Sequence, residues 1–219
     1  MKLLALLPLI LLSAFGQDST SHPPAGADTT AASNRAAAYK PISAKERLKW
    51  FTVSTVGPIS LVAAGPLSAG WGTVLNRPEE YDTHWEGFGK RYRMRLTGVS
   101  TGNAIEGALG AIWGEDPRYF PSPRRGIGSR TKYVIRSSFI APYRDGSWHP
   151  AYARFLGNVG NNFLSNTWRA RSESGAGDAA LRCAWGFTAD LAGNAFSEFW
   201  PDVKRKLFQR KPKARKWAP

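Results

Sequence analysis

The polar residues of this chain that could do chemistry fall at helical intervals. Arg154, Asn158, Asn162 and Asn166 stand four apart, so on a helix they share one face, with Arg169 just beyond. Asparagine is a mediocre helix former, and three in register exceed what a solvated face requires. Three readings stay open: an exposed polar face, a buried interhelical hydrogen-bond ladder, or a ligand site. Asn103 with Glu106, and Asn194 with Glu198, repeat the theme as an amide and a carboxylate one turn apart. A carboxylate among Gly, Ala, Ile and Leu is costly to bury unless paired. Glu106 and Glu198 are therefore expected to meet Arg154 or the asparagines between helices. Two such carboxylates could also act as acid and base, although structural pairing is the simpler use.

Other chemistry finds no foothold. The three histidines are His22, His84 and His149, and no His or Cys spacing suits a metal. There is no Gly-x-Ser-x-Gly elbow and no phosphate loop, so no catalytic residue, metal or cofactor is expected. The one cysteine, Cys183, can form no intramolecular disulfide and reads as an inert core residue.

The elements that must position these residues are helices. Ser43-Ala-Lys-Glu46 is a capping box, which starts a helix near Ala44. Trp50 to Asn76 then carries no charge, a length compatible with a membrane span. Pro58 and Pro66 argue instead for two short helices broken at the Gly57-Pro58 and Gly65-Pro66 pairs. Pro78 is expected to open a long helix to Trp113, with Tyr81, Trp85, Phe88, Tyr92, Leu96 and Val99 as its apolar stripe. Gly98, Gly102, Gly107, Gly110 and Gly114 come next, each costing about 1 kcal/mol against alanine inside a helix, which implies close backbone approach. A short helix from Ser129 to Ala141, a hairpin at Asp145-Gly146, and helices from Pro150 to Trp168 and Asp178 to Trp200 complete the pattern. Phe155, Val159 and Phe163 form an apolar stripe beside the asparagines. Pro201 is expected to kink the last helix. The fold class is all-α: a compact bundle of five to seven Gly/Ala-rich helices, with one small hairpin allowed.

The ends read as export and attachment. Met1-Lys2, an apolar run to Phe15 and a small-residue site before Gln17 make residues 1–16 a signal peptide. Residues 17–40 lack large apolar side chains and read as a disordered tether, leaving a helical domain at 41–210 and a basic tail at 211–219. Lys204, Arg205, Lys206, Arg210, Lys211, Lys213, Arg215 and Lys216 form a run of like charge without an acidic residue. With a net charge of +14, the chain should face something anionic. Export makes that partner a membrane surface or an acidic envelope protein, with no nucleic acid.

Trp85-Glu-Gly-Phe-Gly-Lys-Arg-Tyr92, Gly114-Glu-Asp-Pro-Arg-Tyr-Phe120, Asn162-Phe-Leu-Ser-Asn166 and Asn194-Ala-Phe-Ser-Glu-Phe-Trp-Pro-Asp202 resemble segments of a group of secreted bacterial proteins. The resemblance spans about Lys45 to Leu207 and implies a shared fold and export. It carries no activity, cofactor or partner onto these positions. The leading expectation is a non-enzymatic periplasmic or cell-envelope protein that docks on a membrane surface or acidic partner. The alternatives are an envelope hydrolase or lipid-modifying enzyme using Glu106 and Glu198, and an integral helical membrane protein.

Overall fold

The computed structural model describes residues 39–124 and 126–208. The expected signal peptide, most of the tether, and the basic residues Arg210, Lys211, Lys213, Arg215 and Lys216 lie outside the described residues. The fold begins two residues earlier than position 41, because Tyr39 stacks edge-on against Phe120 and donates a 2.9 Å hydrogen bond to Asp116.

The fold is all-α. Helix α1 (Ala44–Val56) starts from the expected capping box, in which Ser43 Oγ accepts from the Glu46 amide and the Glu46 carboxylate accepts from the Ser43 amide at 2.8 Å. The first Gly-Pro pair does break the uncharged stretch, since Gly57 takes an extended ψ of 164° and ends α1, whereas the second lies within continuous helix. After Gly57 a π-helical segment, Ile59–Ala64, runs straight into α2 (Gly65–Val74); the stretch from Ala44 to Val74 is the rod below. Both prolines sit at the start of a segment, where no intrahelical N–H is required, and the wider turn absorbs the mismatch.

Pro78 does not open the next helix directly. It leads into a single 3-10 turn, Glu79–Tyr81, and Asp82 then takes φ 49°, which no helix can propagate. Helix α3 (Trp85–Trp113) begins only afterwards and ends at Gly114, whose φ of 84° supplies the left-handed stop. Helix α4 (Ile127–Phe139) begins and ends two residues before the expected bounds. It leads into an antiparallel hairpin of β1 (Ile140–Pro142) and β2 (Trp148–Pro150), closed at Asp145-Gly146. Helix α5 (Tyr152–Leu164) gives way to 3-10 geometry at Ser165. Helix α6 (Ala176–Phe208) runs through Pro201 instead of ending at Trp200. There Arg130 of α4 donates to Glu198 and Asp202 on either side of the proline and holds that stretch against α4.

Helix α3 lies at the centre, between the rod and α5; α5 packs on α6, and α6 on α4. Glycine sets the distances. A Cβ on Gly157 would lie 2.9 Å from the Gly102 carbonyl oxygen and 3.0 Å from Glu106 Cβ, so α3 and α5 cross backbone to backbone. The same device seats Tyr92 against Gly65, where an added Cβ would come within 2.5 Å of the ring.

The distribution of side chains is inverted relative to a water-soluble domain. Among the described residues the fully buried apolar side chains are Val134, Cys183, several alanines and prolines, and not one is Leu, Ile, Phe, Met or Trp. Buried beside them are Arg91, Glu115, Asp116, Arg154, Asn162 and Glu198. Large apolar side chains face outward instead: Val62 is 76% exposed, Leu67 74% and Trp85 85%. The expected stripes divide: Trp85, Val159 and Phe163 are exposed, whereas Tyr81 and, on α3, Phe88, Tyr92, Leu96 and Val99 are half-buried, and Phe155 packs between Phe139 and Phe187. Water-soluble domains expose scattered apolar residues, but do not leave about half of their large ones exposed and almost none fully buried, as among the described residues here.

The crossing makes a sharp prediction. Gly157→Ala must push α3 and α5 apart and lose about 1–3 kcal/mol of stability. Gly102→Ala, whose Cβ would meet the Gly157 oxygen at 3.4 Å, costs less, and Gly128→Ala, with nothing within 4 Å, costs nothing. Thermal unfolding gives the order; equal effects at Gly157 and Gly128 contradict the crossing.

Candidate functional site

The inward faces of the rod, α3, α5 and α6 enclose a cleft of about 700 Å³. Arg91, Arg95, Gly98, Gly102 and Glu106 recur on α3 at intervals of three and four, so one stripe of that helix forms the cleft floor. The two glycines in its middle let α5 close down, and the longer polar side chains at its ends remain in the open space.

At one end Arg154 reaches Glu106 at 3.4 Å, a loose ion pair, and donates to the carbonyls of Ser137 and Ser138 at 3.1 and 3.3 Å. Asn194 donates to Ser138 Oγ at 2.9 Å, and Asp190 lines the same end. Asn103 turns toward the rod and donates to Thr55 Oγ1 at 3.0 Å.

The asparagines of α5 point between helices. Asn158 donates to the Cys183 carbonyl at 2.9 Å and accepts from Asn162 at 2.8 Å; Asn166 accepts from Arg182 and donates to the Gly175 carbonyl at 3.3 Å. Asn158 fits because α6 presents Gly186 there: an added Cβ would stand 2.1 Å from its Oδ1. This ladder ties α5 to α6 while lining the cleft with amides.

Glu198 lies elsewhere. It accepts from Tyr119 Oη at 2.8 Å, the Ser122 amide at 2.9 Å and Arg130 Nε at 2.6 Å, and is not among the residues lining the cleft. Glu198 and Glu106 are therefore placed in separate networks, each with its own arginine. Burial, and then the Glu198 carboxylate beside it, push the Tyr119 hydroxyl well above the usual phenol range.

Sequence reasoning misses several residues that shape this region. Glu115, 1% exposed, reads in the sequence only as part of a helix end. Its carboxylate accepts from the amides of Ala153 at 2.8 Å and Arg154 at 3.3 Å, so it caps the start of α5 from a distant loop. Tyr143 donates to it at 3.2 Å, and burial together with that carboxylate raises the Tyr143 hydroxyl to about 12. Asp116, fully buried, accepts from the Arg118 amide and its guanidinium, the shortest contact being 2.7 Å. No periodicity marks a cap that comes from outside its own helix. Arg91 and Arg95, one turn apart in line with Gly98 and Gly102, do carry a readable signal. Arg182 and Asp190, eight apart on α6, carry a weaker one.

No family model, curated protein or solved structure matches the chain.

Glu115→Ala removes two amide acceptors at the start of α5 and should lower stability by about 1–3 kcal/mol. Because Arg154 sits on the same turn, its contact with Glu106 should loosen as well. Chemical unfolding in detergent, run beside the native chain, reads the effect; superimposable curves would refute the capping role.

Proposed function

We propose that this chain is an integral helical membrane protein of the cell envelope that holds a polar cleft at bilayer depth. The observation that carries this reading is the outward placement of its large apolar side chains around a charged interior. They are spread over the rod, α5 and α6, with Val62, Leu67, Leu156, Phe163, Leu181 and Trp185 among them, and are not gathered in one patch. A single protein partner would cover one face; hydrocarbon covers all of them.

The dimensions agree. Trp50 to Asn76 is 27 residues without a charge, about 40 Å of helix, which exceeds a hydrocarbon thickness of about 30 Å. Only 22% of its most apolar window is buried, whereas the core helix of a soluble domain would be covered by its neighbours. On α3 beyond Met94 the charged residues are Arg95 and Glu106, and on α6 from Cys183 to Ser197 the one charge is Asp190; all three line the cleft. Exposed Arg93 lies near one end, where a long side chain can reach the interface. Tryptophans gather at both ends of the apolar zone. Trp71, Trp85 and Trp168 fall at the end where α3 begins and α5 finishes, and Trp50, Trp113 and Trp148 at the other, the arrangement favoured at membrane interfaces.

The expected basic surface has a place in this reading. Lys204, Arg205 and Lys206 are exposed on the last turns of α6, beyond the apolar zone, where an anionic leaflet would meet them. Attachment through those charges alone, as a peripheral protein, leaves the apolar belt in water.

Fractionation separates the two. The full chain, expressed with its leader, should stay with membranes through concentrated salt and alkaline carbonate and come away only in detergent. Release by salt alone would show that screened surface charge held it, and would overturn the proposal.

A further inference from the structure

We propose that the end of the cleft formed by Arg91, Arg95, Asn161 and Arg182 binds the phosphate group of an anionic phospholipid, admitted sideways between the rod and α6. The proposal rests on the membrane reading for its lipid source.

Charge comes first. Six arginines line the cleft against three carboxylates, Glu106, Glu173 and Asp190. The ion pairs of the described residues use Arg154 and Arg169 in the cleft but leave Arg77, Arg91, Arg95 and Arg182 outside any of them, with Glu173 and Asp178 acting on Arg182 only from beyond ion-pair reach. A guanidinium surrounded by low dielectric and lacking a counter-charge is expensive, and in a bilayer more so.

Unused hydrogen-bonding capacity comes second, and it differs among Arg91, Arg95 and Arg182. Arg91 is saturated, donating to the carbonyls of Arg77, Asp82 and Pro78, and contributes charge alone. Among the described residues Arg95 hydrogen-bonds only Ser60, through one nitrogen at 3.4 Å, which leaves most of its fork uncommitted there. Arg182 donates to the carbonyls of Glu173 and Asn162, yet its buried Nε has no partner. Asn161, whose Nδ2 would lie 3.6 Å from a Cβ on Gly98, has a buried Oδ1 without a partner; that oxygen only accepts, and a flip of the amide presents Nδ2 as a donor to an anion instead. A tetrahedral oxyanion accepts several charge-assisted hydrogen bonds from such forks, which makes a phosphate the matching class.

Shape comes third. A cavity of about 700 Å³ is much larger than a bare phosphate and suits a head group with more attached. The rod and α6 flank the cleft without packing on each other, and the lining there consists of Ser68 on the rod with Trp185, Ala189 and Gly193 on α6, all exposed. Beside them Leu67 and Leu181 face outward. An apolar-rimmed side opening above a cationic end fits a molecule with an anionic head and hydrocarbon chains.

Isothermal titration of the detergent-solubilised full chain tests this with three probes: dioctanoyl phosphatidylglycerol, inorganic phosphate, and dioctanoyl phosphatidylcholine. Phosphatidylglycerol should bind, and Arg95→Gln and Arg182→Gln should each weaken it about tenfold or more, the loss expected for a charged hydrogen bond. Arg93→Gln, outside the cleft, should change nothing, and Arg95→Lys should restore part of the affinity. Equal affinity for inorganic phosphate would keep the anion site and overturn the lipid as its source. Equal binding of phosphatidylcholine, or phosphatidylglycerol binding untouched in folded Arg95→Gln protein, would overturn the site itself. Being done in detergent, the titration can fail while the fractionation succeeds, and the reverse.

Discussion

The structure depends on one constraint: a polar group shut away from bulk water needs a partner, and all but a few of the described ones have one. Arg154, Asn158, Glu115 and Glu198 meet it through contacts between different helices or between a loop and a helix, and Asn162 through Asn158 one turn back on its own helix. Side chains this short can bridge helices only if the backbones lie close. Gly102, Gly157 and Gly186 provide that closeness, at a cost in helix propensity that the crossings offset. Bulky residues have no room inside such contacts, so they are displaced to the outer surface. Glycine crossings, interior amides and an apolar exterior are thus one arrangement seen from three sides.

Much of this is legible in the sequence. The capping box at Ser43, the Asp145-Gly146 hairpin and the glycine-rich half of α3 each have a local cause, and local causes survive folding. The four-residue spacing of Asn158, Asn162 and Asn166 announces a polar face, though not whether it turns in or out. Orientation is the part that periodicity cannot supply. An amphipathic pattern looks the same whether water or lipid is the solvent, so the stripe of Val159 and Phe163 suits a core as well as an outer surface. The long-range caps escape for another reason. Glu115 serves a helix that starts 37 residues later, at Tyr152, and Glu198 joins a loop and α4 through tertiary contacts alone. The rod is half legible: the break read at Gly57-Pro58 is there, but Pro66, near the start of α2 and directly after a π segment, is carried within continuous helix.

The cleft divides by charge along α3. Glu106, Arg154 and Asp190 gather where α3 finishes, and Arg91, Arg95 and Arg182 where it begins, separated by the glycine crossing. The first end is largely self-sufficient, since arginine and carboxylate answer each other. The second is not, and its surplus of donors gives the interior a direction, which is the basis of the proposed anion site. Glu198, held by its own arginine outside the cleft, reads as a structural clamp between α4, α6 and the preceding loop.

The central claim is that hydrocarbon, and not water, surrounds the outward apolar side chains. Spin labels attached to single cysteines at Val62 and Leu156, in a Cys183→Ala background and in liposomes, measure it directly. Collisions with oxygen should be frequent and collisions with a water-soluble nickel chelate rare at both positions, with the pattern reversed for a label at exposed Asp145 in the hairpin turn. Ready access of the chelate to Val62 and Leu156 in the vesicle-bound protein would contradict the account.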